Sequence, residues 1–107
     1  MKTFLLNGDE GQLIGFEISN SFLSSSGIAK YIRRIKGCEV VGTRRWFSAD
    51  EVHVHFLFSG KRFIVWEPFG DNSRLWVGPE DGEVTPPEII YELKANFEGT
   101  SRVSISR

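Results

Sequence analysis

The chain has 107 residues, 40% hydrophobic and 13% aromatic, which is enough to bury a core and argues against intrinsic disorder. Thirteen basic and fourteen acidic side chains give a net charge of −1, which excludes the strongly basic composition of dedicated nucleic-acid or anionic-membrane binders. A single cysteine, Cys38, excludes an internal disulfide, and no apolar run is long enough for a signal peptide or a membrane span. We therefore expect a cytoplasmic protein without a membrane partner.

Two strands are predicted at the start of the chain. Ile14, Phe16 and Ile18 alternate with the residues between them, which is strand periodicity. The turn-rich segment 7–11 separates this strand from the apolar segment 4–6. This arrangement predicts an opening hairpin.

A helix is predicted next, after a cluster of serines. Residues 24–26 supply hydroxyl groups that can cap its N-terminus, and Gly37 is placed to end it. The apolar residues at helical spacing are Ile28, Tyr31, Ile32 and Ile35. Most of the remaining surface of this helix is basic.

Four strands are predicted after the helix. Residues 39–47 form the first of them. The clearest signal follows, because residues 51–58 and 61–66 are strand-like and are separated by the two-residue turn Ser59-Gly60. Residues 74–77 form a last short strand between two turn-rich segments.

A second helix is predicted near the end of the chain. Thr85 is placed to cap it, Pro86 suits its first turn, and Glu88 completes a capping box. Gly99 is a stop signal. The apolar stripe of this helix is Ile89, Ile90, Leu93 and Phe97. The tail, 100–107, is either a loose end or an edge strand.

The predicted fold class is α+β, with residues 1–107 in a single two-layer domain. In the order β-β-α-β-β-β-β-α, a mostly antiparallel sheet of about five to six strands carries two helices on one face. The central succession of helix, strand meander and helix is similar in outline to the frataxin fold. Frataxins carry an acidic first helix, whereas this one is basic, so the resemblance is one of element order and implies no function.

The tight turn predicts which side chains share a face of the sheet. Phe56 lies opposite Phe63 and Val54 opposite Val65 if Ser59 and Gly60 alone form the turn. These residues are expected beneath the helices. The second face then carries His53, His55 and Leu57 opposite Trp66, Ile64 and Arg62.

Two more tryptophans are assigned to the second face by parity. Trp76 points to the face opposite that of its apolar neighbours Leu75 and Val77, because successive side chains of a strand alternate. Trp46 joins this face if Val41 and Thr43 point inward. A face bearing Trp, His and Arg is typical of binding surfaces, unless the N-terminal hairpin or the C-terminal tail covers it as a second small core.

The leading interpretation is a non-enzymatic, bacterial-type interaction module that binds a protein partner or its own copy. The expected apolar anchors are Trp66 and Trp76, the charged rim is Arg62 and Arg44, and the polar contacts are His53 and His55. Trp46 is a further candidate binding residue if it joins this face. No phosphate-binding loop, dinucleotide glycine fingerprint, zincin helix or nucleophile elbow is present. We therefore predict no catalytic residue and no cofactor.

Two other functions stay open. His53 and His55 on one strand face are spaced as in some metal or small-molecule sites, possible enzymes among them, but a metal needs a third ligand that nothing in the sequence marks. We predict no metal site. Residues 44–47, Arg-Arg-Trp-Phe, mix cations and aromatics as single-strand nucleic-acid binders do, although the net charge disfavours this reading.

Glu67 and Cys38 could be reactive, but both are interpreted as structural residues. Glu67 is expected on the helix-covered side at the end of its strand, in an ion pair with Arg45 or Lys61. Cys38 is expected to be a packed thiol.

Overall fold

Six strands and two helices follow one another in the predicted order β-β-α-β-β-β-β-α. The computed structural model describes residues 2–19, 24–43, 52–68, 74–80 and 84–99. The elements are β1 (Thr3–Asn7), β2 (Leu13–Ser19), α1 (Ser25–Arg33), β3 (Cys38–Thr43), β4 (Val52–Phe58), β5 (Lys61–Trp66), β6 (Arg74–Pro79) and α2 (Pro87–Gly99). The predicted α+β fold is confirmed. The predicted alternatives for the tail, 100–107, lie outside the described residues.

The strands form one antiparallel sheet in the spatial order β1-β2-β6-β5-β4-β3. β3 to β6 are a meander in which each strand pairs with the next. The opening hairpin, β1 and β2, joins this meander through β6, with Phe16 opposite Val77 and Ile18 opposite Leu75. Among the strands that the structure describes, β1 and β3 are therefore the two edges of the sheet.

The turn between β4 and β5 has the predicted geometry. Ser59 and Gly60 both have positive φ, 55° and 75°, as a type I′ turn requires. Its register places Phe56 opposite Phe63, and both side chains are fully buried with their rings stacked 5.7 Å apart. The predicted assignment of these residues to the core is confirmed.

Both helices pack on the same face of the sheet. α1 contributes Ile28 and Ile32 to the core, and α2 contributes Leu93 and Phe97. The Phe97 ring meets that of Phe16 edge to face at 5.1 Å. Full burial of each such side chain is worth about 1.5–3 kcal/mol, so these contacts hold the two layers together.

The two helices begin differently. Ser24 caps α1 as predicted, because its Oγ accepts a hydrogen bond of 3.2 Å from the Gly27 amide. The predicted cap of α2 is wrong. The helix starts at Pro87, and the buried Thr85 Oγ1 makes no hydrogen bond with any described residue.

A bulge in β3 decides the side on which Val41 lies. Val40 is opposite Phe56 and Gly42 is opposite His55, so Val41 is an extra residue between two paired positions. Val40 packs against the core, while 55% of Val41 is exposed. Val41 therefore points outward and does not meet the condition for placing Trp46 on the second face, whereas Thr43 lies opposite the buried Val54 and does meet it.

Candidate functional site

The sheet face opposite the helices, which we call the outer face, carries four of the residues predicted to bind. Trp66 lies beside Trp76 in the paired strands β5 and β6. His55 is on the neighbouring strand β4, and Arg62 lies at the turn end of β5. Their side of the sheet is settled by the fully buried core residues that alternate with them, such as Val65.

The two tryptophans form a partly buried pair. Their ring centroids are 5.7 Å apart and their planes are inclined at 82°, an edge-to-face arrangement. Trp76 Nε1 donates a hydrogen bond of 3.1 Å to Glu17 Oε1 on β2. This bond fixes the Trp76 ring, which in turn supports the Trp66 ring, so the pair is a pre-organised apolar surface.

Charged side chains flank the tryptophan pair on both sides. Arg74 Nε lies 3.8 Å from Glu17 Oε2, and Arg62 Nε lies 3.8 Å from Glu80 Oε2. His55 Nδ1 is 3.3 Å from Glu80 Oε1. In each arginine pair the cation is the more exposed partner, 57% against 21% and 64% against 33%, so the guanidinium groups project beyond the carboxylates.

His53 does not lie on the outer face, and its predicted position is wrong. Val52 pairs with Trp66 and Val54 pairs with Val65, so His53 is one extra residue in a bulge of β4. The bulge turns the imidazole toward the helices, where only 3% of the residue is exposed. His53 and His55 therefore lie on opposite faces, and the two-histidine site considered from the sequence is not formed.

The inward turn of His53 completes a chain of three buried polar side chains, which we call the polar chain. Ser25 Oγ, in the first turn of α1, lies 2.6 Å from His53 Nδ1. His53 Nε2 lies 2.6 Å from Glu67 Oε1, just beyond the end of β5. Ser25 and Glu67 expose 7% and 6% of their surface, so each of the three groups is largely buried but Ser25 and Glu67 keep a small exposed fraction.

The Glu67 carboxylate and the Ser25 hydroxyl determine which group donates in each hydrogen bond of the polar chain. An ionised Glu67 can only accept, so His53 Nε2 carries the proton of that bond. A neutral imidazole then has its lone pair at Nδ1, where it accepts from the Ser25 hydroxyl. In this state the Ser25 hydroxyl proton points at His53 Nδ1, which can act as a base. The Glu67 carboxylate holds the imidazole in the tautomer that carries its proton on Nε2.

Glu67 lies on the helix-covered side, as predicted, but its described partner is a histidine. Lys61, one of the two cations expected to pair with it, is at the opposite end of β5, about 20 Å along the strand. Arg45, the other one, lies outside the described residues. The shared face was predictable by counting, whereas the partner depended on the bulge at His53.

Cys38 takes no part in the described site, and two of the predicted binding residues cannot be placed relative to it. Arg44 and Trp46 lie outside the described residues. Cys38 packs against the core, where burial raises the pKa of its thiol to about 12, so it is overwhelmingly a neutral thiol at pH 7. No group of three His, Cys, Asp or Glu that could hold a metal occurs among the described residues.

Ser25 is the functional candidate that sequence reasoning missed. The serine cluster before α1 predicts only helix caps, and its first member, Ser24, does have that role. Ser25 is 28 residues from His53, and His53 is 14 from Glu67. No short motif contains all three, so only the folded chain brings them together.

No protein family, curated protein or solved structure matches this chain. Among the described residues, neither helix has the length and apolar character needed to cross a bilayer.

Proposed function

We propose that this protein is an interaction module whose outer face binds an acidic segment of a protein partner. The observation that carries the proposal is the Trp66–Trp76 pair, which lies on the outer face, opposite the helices. Tryptophan is enriched at binding hot spots because it buries a large area and loses little side-chain entropy. A ring pair that is already ordered lowers the entropic cost of binding further.

The charge of the partner follows from the arginines beside the pair. Arg62 and Arg74 are more exposed than Glu80 and Glu17, the carboxylates with which they form ion pairs. An arriving ligand therefore meets positive charge on two sides of the tryptophans. Arginine binds carboxylates through paired hydrogen bonds, which fits an acidic peptide segment with an apolar side chain for the rings.

Two predicted residues stay in this proposal on sequence grounds. Arg44 would add a third cation, and Trp46 would add a third ring. His55, held by Glu80, supplies a polar contact within the same surface. His53 is left out because it is buried on the other side of the sheet.

The test is selection from a display library of random short peptides on the purified whole chain. We expect the selected peptides to be rich in Asp and Glu with one large apolar residue. Trp66→Ala should weaken their binding by about 2 kcal/mol, roughly thirty-fold in Kd. Arg62→Glu should weaken it as well and reduce its dependence on salt.

A matched control separates surface recognition from net charge. Arg33 is exposed on α1, on the opposite side of the molecule, so Arg33→Glu makes the same charge change without touching the outer face. It should leave peptide binding unchanged. The proposal is wrong if the selected peptides are not acidic, if nothing is enriched, or if Arg33→Glu and Arg62→Glu act alike.

Self-association is a second proposed interaction, and a different surface favours it. Edge strand β1 contains no charged residue and exposes Phe4 and Leu5 by 55% and 43%. Unpaired edges of this kind are templates for pairing with another strand. In an antiparallel pair of β1 strands from two copies, Lys2 of each copy lies near the Asp9–Glu10 turn of the other, which is complementary in charge.

A cytoplasmic location is also proposed. Its support is the single cysteine, which is a partly buried, neutral thiol and needs no oxidising compartment.

A further inference from the structure

We propose that the polar chain makes Ser25 a nucleophile that hydrolyses small, uncharged esters. Ser25 in α1, His53 in β4 and Glu67 just beyond β5 are joined by two contacts of 2.6 Å each. A hydroxyl, an imidazole and a carboxylate in hydrogen-bonded series are the parts of a serine-hydrolase charge network. The chain uses Nδ1 toward the serine and Nε2 toward the acid, and either nitrogen of an imidazole can accept a proton.

The position of Ser25 at the start of α1 adds a second element of such a site. The amides of Ser25 and Ser26 are in the first turn, where no intrahelical carbonyl is available to accept from them. The Gly27 amide is already bonded to the Ser24 side chain. The Ser26 amide and the positive end of the helix are therefore placed to stabilise an oxyanion that forms next to Ser25.

The reaction follows from these positions. The Ser25 Oγ–H bond breaks as its proton passes to His53 Nδ1, and Oγ forms a bond to the acyl carbon of the ester. The carbonyl oxygen becomes an oxyanion beside the Ser26 amide. Collapse of this intermediate expels the alcohol, which takes the proton from His53, and leaves the acyl group on Ser25.

A water molecule completes the cycle. His53 Nδ1 takes a proton from it, the resulting hydroxide attacks the acyl-serine, and the carboxylic acid leaves as Ser25 regains its proton. Glu67 touches no reacting atom in either half, so it is a positioning residue that also stabilises the imidazolium. Its buried negative charge disfavours an anionic acyl group, which is why the proposed substrates are uncharged.

Two probes test the proposal on the whole chain: p-nitrophenyl acetate as substrate and a fluorophosphonate as covalent label. We expect the wild type to hydrolyse the ester and to be labelled at Ser25, as located by mass spectrometry of peptides. Ser25→Ala should abolish labelling and lower kcat/KM by at least about a hundredfold. Ser19→Ala, which removes an exposed hydroxyl at the end of β2, should retain both.

Glu67→Gln tests the positioning role. It keeps an oxygen that can accept from His53 Nε2 but removes the negative charge, so kcat should fall while KM and the labelled residue stay the same. Circular dichroism verifies that each variant is folded. The proposal is overturned if Ser25 in the wild type is not labelled, or if Ser25→Ala hydrolyses the ester as fast as the wild type. Neither outcome depends on peptide binding at the outer face.

Discussion

A single extra residue in β4 determines the surroundings of His53. Without the bulge, the side chain would lie opposite Trp66 on the outer face; with it, His53 and Val54 both point toward the helices. The cost of burying an imidazole is offset because both of its nitrogens are hydrogen-bonded, one to Ser25 and one to Glu67. The bulge and the polar chain therefore depend on each other.

Replacing His53 should destabilise the protein strongly. His53→Ala leaves the buried Glu67 carboxylate without this partner, and removing one member of a buried pair typically costs about 3–5 kcal/mol. His55→Ala is the matched control, because its side chain is 42% exposed and its pair with Glu80 is a surface contact worth about 0–1 kcal/mol. Urea unfolding of both variants measures the difference. Equal losses would show that the polar chain contributes no stability.

The face of each residue was predictable from the sequence only where the strands are regular. Counting outward from Ser59 and Gly60 places Phe56, Phe63 and Val65 correctly, because a turn of known length fixes the parity of both strands. Counting fails past a bulge, and a bulge leaves no mark in the alternation of apolar and polar residues. The errors at His53 and Val41 have this same cause.

At the scale of elements, two glycines leave no room for a Cβ between β2 and β6. A Cβ on Gly78 would lie 2.4 Å from the Ile14 carbonyl oxygen, and a Cβ on Gly15 would lie 2.2 Å from that of Val77. Both contacts are with backbone, which cannot move aside without shifting a strand. Glycine at both positions is therefore required for the hairpin to join the meander.

Gly78→Ala should destabilise the fold through this contact. We expect a loss of roughly 1–3 kcal/mol, as for other overpacked sites, with the β2–β6 pairing weakened first. Gly42→Ala is the control from another strand, because a Cβ there would meet His55 only at 3.9 Å, an ordinary contact. Thermal unfolding and hydrogen exchange of the β2 amides report the two effects. A Gly78→Ala protein as stable as Gly42→Ala would contradict the close approach.

The order and type of all eight elements were predictable from the sequence, and the pairing of distant elements was not. Local spacing shows that α1 and β5 exist, but nothing local indicates that β2 pairs with β6. The start of α2 was misplaced because Thr85 and Glu88 satisfy the pattern of a capping box, while the chain begins its helix at Pro87. Predicting the polar chain would have required knowledge of both the long-range packing and the bulge in β4.

For the whole molecule, the two edge strands of the described sheet, β1 and β3, differ in their exposed apolar residues. On β1, Phe4 and Leu5 expose side chains on both sides of the strand, and Tyr91 of α2 is also half-exposed. On β3, Val41 is exposed in a bulge, which interrupts the regular spacing of backbone groups at that edge. The proposed self-pairing therefore uses β1 rather than β3.

Leu5→Lys should reduce self-association. A charge on β1 opposes pairing with a second β1, as charged residues do on the edge strands of natural sheets. Val41→Lys makes the same change at the other edge and should leave the oligomeric state unchanged. Sedimentation velocity over a range of concentrations distinguishes monomer from dimer. A wild type that stays monomeric at every concentration would rule out the proposed β1 pairing.

The tryptophan pair also has an optical consequence. Two indole rings with centroids 5.7 Å apart and planes inclined at 82° have electronic transitions that couple, and coupled transitions give a pair of circular dichroism bands of opposite sign. The amplitude of this couplet depends on the distance and angle between the rings. A molecule that settles on the outer face and shifts either indole will therefore change the spectrum, so the protein carries its own spectroscopic reporter of occupancy without an added label.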